Sequence, residues 1–339
     1  PPADVPSDLG RTQRDAETAT SGSNVSERTW QAMPMGPLAV QAEGRDRRYV
    51  LTSLIGQGAT SLVYAATDKS FDREVAVKVL HHGGDGRRMA RFLREARTAA
   101  RLEHPNILPV HDLGFTANGH AFFAMRRVVG RSLGELLELP APRASTIATV
   151  SDQVAVLLKV LDALGAAHAK GIIHQDVKPD NIMVGDFGEV LLVDWGTAID
   201  SAREGSGPHR VVGTPIYMAP EQARGERATT ASDVYAAGAT LFHMLWGRRP
   251  LGHAEPEEFW ARKRRGDINA PTRSERARLP RRLVAIIMKA LAAAPADRYV
   301  DATALAQDLR RWQAGLPVSA HREGPGERAV RMLPVTGAV

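Results

Sequence analysis

A carboxylate, an ammonium group and a carboxamide lie within six positions in the segment His174-Gln175-Asp176-Val177-Lys178-Pro179-Asp180-Asn181. Asp176 could orient a hydroxyl group, Lys178 could neutralise a phosphate, and Asn181 could give an oxygen ligand to Mg²⁺. Two apolar runs follow this segment, and the second ends at Asp194, a further carboxylate that could bind Mg²⁺. Phosphoryl transfer needs side chains of these types, so the segment is a candidate catalytic loop.

A glycine pair and a strand lysine lie nearer the N-terminus. Gly56-Gln57-Gly58 falls between two predicted strands, where glycine amides can approach phosphate oxygens. Val75-Ala76-Val77-Lys78 reads as a strand, and an inward-pointing Lys78 would need an anion such as phosphate or the carboxylate of Glu95. Taken singly, the glycine pair is more typical of a hairpin turn, and the two charged residues of a solvated surface. Ser61 also replaces the third glycine of a G-x-G-x-x-G loop.

Short apolar runs alternate with turn residues in the first part of the chain, and helical spacing dominates the rest. This pattern predicts a small strand-rich lobe followed by a larger helical lobe, an α+β organisation. The lysine and glycine at 170–171 favour the end of a long helix that starts near residue 145. Strands are predicted at 49–55, 61–67, 74–80, 107–113 and 120–126, a helix at 88–102, and mainly helices from Asp233 to near Trp312.

Composition bounds the remaining possibilities. The 339 residues are 43% hydrophobic and 24% charged, which is globular composition, and the formal net charge is +6. No cysteine is present, which excludes disulfides, thiolate metal sites and cysteine nucleophiles. No apolar run approaches the roughly 20 residues of a membrane span, so a cytoplasmic chain is expected, with any anchor outside it. The basic charge is expected to reflect composition rather than nucleic-acid binding.

The motifs agree in order and spacing with one family. The chain resembles the eukaryotic-like Ser/Thr protein kinases, most closely their bacterial branch, from about Tyr49 to Trp312. The resemblance implies the two-lobed protein kinase fold, with a five-stranded antiparallel sheet and one main helix in the small lobe. It divides the chain into a flexible arm at 1–46, a small lobe at 47–127, a large lobe at 128–313 and a tail at 314–339. The motifs are Gly56/Gly58, 75–78, Glu95, 174–181, Asp194-Trp195-Gly196, 213–221, Asp233 and Arg298.

The resemblance also implies ligands and roles. Mg-ATP, or Mn-ATP, would be the nucleotide, and Ser or Thr hydroxyls of proteins, including this chain, the acceptors. Lys78 would contact the phosphates and pair with Glu95, Asp176 would orient the hydroxyl, and Lys178 would neutralise the γ-phosphate. Thr214 would bond both Asp176 and Lys178, and Asn181 and Asp194 would hold the metal. The other expected nucleotide contacts are Ile55, Gly56, Gln57, Gly58, Val63, Ala76, Met125, Arg127, Val128 and Ser132.

Structural supports and departures follow from the same resemblance. Glu221 is expected to pair with a buried Arg298, and Asp233 to anchor the catalytic loop. Gln175 replaces the arginine that receives a phosphate in the family, so phosphorylation of Thr197, Ser201 and Ser206 is expected to be dispensable. Trp195 replaces a phenylalanine and is expected to stack on His174, with the small Ala99 compensating for the larger ring. The hinge pair Arg126-Arg127 could attract acidic neighbours or be solvated, and solvation is the favoured interpretation.

Other interpretations stay open at this point. A pseudokinase that binds nucleotide and signals by conformation would explain Gln175, Trp195 and Ser61, but not the retention of every catalytic residue type. A small-molecule kinase would not explain segment 213–221, which shapes a peptide groove in the family. Dimerisation through the small lobe remains possible. Residues 262–265 are expected to form a solvated basic helix face, residues 316–323 resemble a segment that follows some bacterial kinase domains, and Leu333-Pro334-Val335-Thr336-Gly337 is expected to be a coincidental sorting motif.

Overall fold

The first part of the fold is an antiparallel sheet with one helix against it. The computed structural model describes residues 39–40, 48–58, 60–80, 86–116, 118–139, 147–201, 211–252, 254–322 and 324. Within these residues the six strands follow the order β1-β2-β3-β4-β6-β5. They are β1 Ala39–Val40, β2 Tyr49–Gln57, β3 Ser61–Asp68, β4 Arg73–Leu80, β5 Val110–Phe115 and β6 Ala121–Arg126, and helix α1 is Gly86–Arg101.

The five predicted strands and the predicted helix are all present. The two-residue strand β1 was not predicted, because it lies in the segment expected to be a flexible arm. Ala39 and Val40 pair with Val50 and Tyr49 at the edge of the sheet. The remainder of residues 1–46 lies outside the described residues.

The period of two along β4 decides which way its lysine points. Val75 and Val77 are buried on one face of the sheet, in a cluster with Tyr49 and Phe122. Leu80 is buried on the opposite face, in a cluster with Phe92 of α1. Alternate strand residues share a face, so Lys78 lies on the side of Leu80, facing the helix that carries Glu95.

The second part of the fold is helical. Its helices are α2 Leu133–Glu138, α3 Val150–Ala169, α4 Pro220–Ala223, α5 Thr230–Trp246, α6 Pro256–Arg265, α7 Arg273–Ala277, α8 Arg281–Ala290 and α9 Ala302–Gln313. Short strands are β7 Gly130–Ser132, β8 Ile172–Ile173, β9 Ile182–Gly185, β10 Val190–Leu192 and β11 Ile199–Asp200. These strands pair in the orders β10-β9-β7 and β11-β8. The segments 174–181 and 193–198, which carry candidate site residues, connect β8 to β9 and β10 to β11. This α+β architecture is the two-lobed kinase fold that the sequence predicted.

Helix α3 forms the centre of the large core and shows how the local sequence sets its bounds. Thr149 and Asp152 form a reciprocal capping box at its start. Buried side chains cover most of the helix circumference, and the helix packs against α5 and α9. Its end is at Lys170, and Gly171 takes a positive φ of 70°, which confirms the predicted terminus. Among the described residues, no helix is both long and apolar enough to cross a bilayer.

Two expectations about charged residues are wrong. Arg126 and Arg127 at the hinge are not simply solvated, because they form ion pairs with Glu189 and Glu74 at 3.0 and 2.7 Å. In the basic run 262–265, Arg264 and Arg265 are exposed, but Lys263 is only 1% exposed. The run looked like a solvated face because the residues that bury Lys263 are distant in sequence.

The start of the predicted tail is packed rather than free. Val318 is only 5% exposed and joins the core of the helical part. The carboxylate of Asp308 on α9 accepts hydrogen bonds from the Ser319 and Ala320 amides at 2.8 and 3.1 Å. It also accepts one from the Ser319 hydroxyl at 2.7 Å. The sorting-like pentapeptide at 333–337 lies outside the described residues.

Candidate active site

The buried carboxylate of Asp233 on α5 holds the start of the candidate catalytic loop. Asp233 on α5 has no exposed surface and accepts hydrogen bonds from the backbone amides of His174 and Gln175, at 2.8 and 2.9 Å. Gln175 takes a left-handed φ of 68°, a conformation that non-glycine residues adopt rarely and that neighbouring contacts must hold. Asp233 supplies those contacts directly before Asp176. The expected anchoring by Asp233 is therefore present.

Asp176 lies in a hydrogen-bonded triangle with Lys178 and Thr214. Lys178 Nζ is 2.9 Å from Asp176 Oδ2 and donates to Thr214 Oγ1 at 2.6 Å. The Thr214 amide donates to Asp176 Oδ1 at 2.7 Å. Burial alone would raise the pKa of Asp176, but the Lys178 ammonium and the Thr214 hydrogen bond outweigh it and hold that pKa below its usual range. Asp176 is thus a carboxylate at neutral pH and can only accept hydrogen bonds.

Lys78 and Glu95 meet between the sheet and α1. Lys78 Nζ donates to Glu95 Oε1 at 2.5 Å, and both side chains are largely buried. Burial raises the pKa of the Glu95 carboxyl, Lys78 opposes the rise, and the nearby Asp194 carboxylate adds to it. A lysine and two carboxylates therefore share one small region, and a bound cation or phosphate there would change the charge balance of all three.

Asp194 is presented by an unusual backbone conformation. Its φ of 61° and ψ of 73° are left-handed, and its Oδ1 accepts a hydrogen bond from the Gly196 amide at 3.3 Å. The side chain is exposed, unlike that of Trp195 beside it. The amide of Val193 donates to the Asn181 carbonyl at 2.9 Å, which keeps Asp194 next to Asn181 along the cleft.

These two residues fit a magnesium ion. Asn181 Nδ2 donates to the Asp176 carbonyl and carboxylate at 2.8 and 3.2 Å, which commits the amide nitrogen and leaves the side-chain oxygen as a ligand. Among the described residues, no group of three or more His, Asp or Glu side chains could bind a metal by itself. One carboxylate and one carboxamide suit Mg²⁺ that is also bound by phosphates, since Mg²⁺ takes few protein ligands at such sites.

Several of the expected nucleotide-contact residues lie on neighbouring strands of the large sheet. Ile55, Gly56 and Gln57 end β2, and the Gly58 amide bonds the Ser61 carbonyl at 2.8 Å to close the turn. The register then runs across three strands: Gly56 pairs with Val63, which pairs with Lys78, and Ala76 pairs with Met125. The glycine turn, Val63, Ala76 and Met125 are therefore neighbours of the candidate phosphate site.

Two of the expected nucleotide contacts near the hinge, Arg127 and Ser132, already have partners within the protein. Arg127 and Val128 connect β6 to β7, and Arg127 makes the ion pair with Glu74 noted above. Ser132 is the N-cap of α2, and its hydroxyl accepts from the Glu135 amide at 3.1 Å and donates to Glu135 Oε2 at 3.0 Å. The Ser132 hydroxyl proton is thus committed to the capping box, and a ribose hydroxyl could donate only to the remaining lone pair of the Ser132 oxygen.

The expected supports of the site also come together. Glu221 and Arg298 form two hydrogen bonds of 2.8 Å each, with both side chains almost fully buried. Arg298 and Ser232 outweigh the effect of burial and lower the pKa of Glu221. The Trp195 ring lies 4.6 Å from the His174 ring at an interplanar angle of 64°, an edge-to-face contact.

Two contacts were not anticipated from sequence. Arg91 on α1 donates from Nε to the Gly196 carbonyl at 3.2 Å, tying the helix to the segment after Asp194. Gln222 Nε2 donates to the Gln175 carbonyl at 3.2 Å, tying α4 to the candidate catalytic loop. Arg91 lies one helical turn before Glu95, and that spacing was the available signal for it. The sequence gave no comparable signal for Gln222, because its partner is a backbone atom.

Comparisons with known proteins agree with this geometry. A family model described as protein kinase domain matches residues 49–309. Serine/threonine-protein kinase pkn3 of Myxococcus xanthus is 38% identical over 279 residues, covering 78% of this chain and 49% of that protein. Serine/threonine-protein kinase PknL of Mycobacterium tuberculosis is 36% identical over 268 residues, covering 78% and 65%.

A third relative has a similar level of sequence identity to the chain. The probable serine/threonine-protein kinase PknB of Corynebacterium glutamicum is 36% identical over 275 residues, covering 78% of this chain and 42% of that protein. The chain thus spans about half the length of several curated relatives it matches. With the fold, the loop geometry and a family match over most of its length, the chain belongs to the protein kinase family, next to bacterial Ser/Thr members.

Proposed function

We propose that this protein transfers the γ-phosphoryl group of ATP to Ser and Thr hydroxyls of proteins, including its own. The observation that carries the proposal is the triangle of Asp176, Lys178 and Thr214, with a carboxylate kept ionised beside an ammonium group at the mouth of a cleft. A hydroxyl that donates to Asp176 is oriented for attack on phosphorus, and Lys178 lies where it can neutralise the transferring group.

The chemistry of the step assigns each residue a task. The acceptor oxygen forms a bond to the γ-phosphorus, the bond from that phosphorus to the ADP oxygen breaks, and Asp176 accepts the hydroxyl proton. Lys78, held by Glu95, binds the α- and β-phosphates, and the turn at Gly56–Gly58 covers them from the sheet. The adenine lies between Val63 and Ala76, against the backbone of residues 126–128. In this proposal the small lobe spans residues 47–127 and the large lobe 128–313.

Asn181 and Asp194 would hold Mg²⁺ or Mn²⁺. Such an ion supplies positive charge that offsets the negative charge of the phosphates during transfer. The chain's own part is to keep two oxygen ligands in place, through the Asn181 bonds to Asp176 and the bond from Gly196 to Asp194.

The preference for Ser and Thr over Tyr rests on Lys178 and Thr214. The short bond between them leaves the Lys178 ammonium within reach of both Asp176 and the acceptor position. Lysine and threonine at these positions resemble the Ser/Thr members of the family, and relatives that the chain matches are named Ser/Thr kinases.

Transfer of label from γ-labelled ATP tests the proposal. Wild-type protein should become labelled on Ser or Thr, and Asp176→Asn should lower the rate about 100-fold or more, because general-base residues typically contribute that much. Thr149→Ser, far from the cleft and still able to cap α3, is the matched control and should behave as wild type. Absence of labelling in the wild type would favour a nucleotide-binding module. Equal labelling of wild type and Asp176→Asn would show that Asp176 does not carry the transfer. Transfer to a metabolite but not to peptides would favour a small-molecule kinase.

A further inference from the structure

One lysine in the basic run at 262–265 is not at the surface. Lys263 is only 1% exposed, although Arg264 and Arg265 beside it on α6 are exposed. Taking an ammonium group out of water costs several kcal/mol unless polar partners replace the water. The partners of Lys263 therefore indicate what its charge does.

The main partner is a backbone carbonyl. Lys263 Nζ donates to the carbonyl oxygen of Ile216 at 3.0 Å and lies 4.9 Å from the centre of the Tyr235 ring on α5. No carboxylate of the described residues forms an ion pair with it. The Arg298 guanidinium, paired with Glu221, lies 4.9 Å from the centre of the same ring.

Ile216 lies in the middle of a segment that is fixed on both sides. Thr214 bonds Asp176 and Lys178 at one end, and Glu221 bonds Arg298 at the other. The Tyr217 hydroxyl forms a 2.8 Å hydrogen bond with His243 Nδ1. Among the side-chain hydrogen bonds of the described residues, the bond from Lys263 is thus the one that joins α6 to the stretch between Thr214 and Glu221.

We propose that Lys263 is a positioning residue for the protein substrate, because its ammonium group holds the Ile216 carbonyl and so the groove beside Asp176. This inference rests on the proposed function, and it takes segment 213–221 as the part of the chain that receives the peptide, as the family resemblance implies. Lys263 itself touches neither nucleotide nor acceptor. Its loss should therefore weaken peptide binding and leave the chemistry of phosphoryl transfer intact.

The same geometry makes the groove sensitive to pH. Burial lowers the pKa of the Lys263 ammonium to about 7, the positive Arg298 lowers it too, and Glu221 opposes them. Tyr235, Arg298 and Glu221 are the titratable groups that face it. Above that pH the amine is neutral, its bond to Ile216 loses the assistance of the charge, and its attraction to the Tyr235 ring is lost. Peptide KM should rise with pH.

The free energy of unfolding should increase over a pH range in which peptide binding weakens. A lysine whose pKa is depressed in the folded state makes the unfolded chain bind more protons between about pH 7 and about pH 10.5, so stability rises with pH over that range. A merely structural lysine would change stability alone, whereas a positioning lysine also changes peptide KM.

The test compares Lys263→Met with Arg264→Met, a matched removal of an exposed charge one residue away. A degenerate library of Ser- and Thr-containing peptides gives a peptide that the wild type phosphorylates, and this peptide is the probe. Lys263→Met should raise its KM roughly tenfold, the loss of about one charge-assisted hydrogen bond, with KM for ATP and peptide-free ATP hydrolysis unchanged. Arg264→Met should match the wild type.

The pH series is the second measurement. From about pH 6.5 to about pH 8.5, peptide KM should rise several-fold in wild type and Arg264→Met, and stay flat in Lys263→Met. An unchanged peptide KM in Lys263→Met, or a fall in ATP hydrolysis together with thermal stability, would overturn the inference. If that variant does not fold, a flat wild-type profile would overturn it. Failure of wild type to phosphorylate any peptide would remove the proposed function as well, whereas transfer with unchanged KM removes this inference alone.

Discussion

At the scale of single residues, Trp195 is the side chain that departs most from the family pattern. It is 1% exposed, packs edge-to-face on His174, and shares the large core with Ala99, which is 8% exposed. Its Nε1 has no hydrogen-bond partner among the described residues. A buried, unsatisfied donor costs free energy, so shape rather than polarity is the reason to keep this ring.

Trp195→Phe should therefore lower activity several-fold, because the smaller ring leaves a gap between His174 and α1. Ala99→Leu should restore part of the loss in the double variant by filling that gap. Thermal stability should change less than activity, since the substitution also removes the unsatisfied Nε1 donor. Autophosphorylation rates and thermal unfolding of both single variants and the double variant measure this. Additive losses would show that Ala99 and Trp195 do not compensate.

Gln175 leads to a second prediction at this scale. Its neutral side chain offers no charge to an activation-loop phosphate, and the Thr197 hydroxyl already donates to the His174 carbonyl at 3.0 Å. Replacing Thr197, Ser201 and Ser206 by alanine should leave most of the activity, with a small loss from the Thr197 bond; Ser206 lies outside the described residues. A triple variant that is inactive, and regains activity with Asp or Glu at one site, would contradict this prediction.

At the scale of elements, the pair Glu221–Arg298 joins α4 to the turn before α9. Arg298 also donates to the carbonyls of Ala231, Ala292 and Ala293, at 2.9, 2.7 and 2.9 Å, so its guanidinium is fully bonded inside the protein. Glu221→Gln keeps the shape but leaves that guanidinium uncompensated, and should cost about 3 kcal/mol or more of unfolding free energy. Glu226→Gln, which breaks the exposed pair with Arg224, is the control and should cost far less. Urea denaturation measures both; similar losses would contradict the prediction.

The lowered pKa of Glu221 adds a pH dependence. The unfolded chain binds this proton near the ordinary glutamate pKa of about 4.3, whereas the folded chain binds it only at lower pH. Its contribution to stability is therefore complete above that value and is lost as pH falls through the folded pKa. Unfolding free energy of the wild type should fall in acid more steeply than that of Glu221→Gln. Parallel acid slopes would argue against it.

Some contacts between elements could be predicted from the sequence, and others could not. The order and spacing of Lys78, Glu95, Asp176 and Asn181 matched a known family, so the contacts of Lys78 with Glu95 and of Asn181 with Asp176 were predictable. That all four side chains surround one nucleotide stays a prediction. The burial of Lys263 was not predictable, because a run of four basic residues resembles a solvated face and its partner Ile216 lies 47 positions away. The contact of Ser132 with a ribose stays a prediction, and its local capping box was not predicted.

At the scale of the whole molecule, the fold does not stop at α9. Beyond Gly315, the chain turns back so that Val318 enters the large core and Asp308 binds Ser319 and Ala320. Asp308 accepts a further bond from the Tyr299 hydroxyl at 2.8 Å, so one carboxylate joins α9, the turn before it and the returning segment. Part of the segment that lies beyond the family resemblance is therefore a structural element.

A chain truncated after Gly315 should therefore be less stable than one truncated after Arg322. Burial of Val318 contributes roughly 1.5 kcal/mol and each of the three bonds to Asp308 about 1 kcal/mol, so the shorter chain should lose about 4 to 5 kcal/mol of unfolding free energy. It also leaves a buried carboxylate short of donors, so Asp308→Asn should restore part of the loss in the shorter chain while destabilising the longer one. Chemical denaturation of the four proteins measures these changes. Equal stability of the two truncations would mean that residues 316–322 only rest on the surface of the helical part.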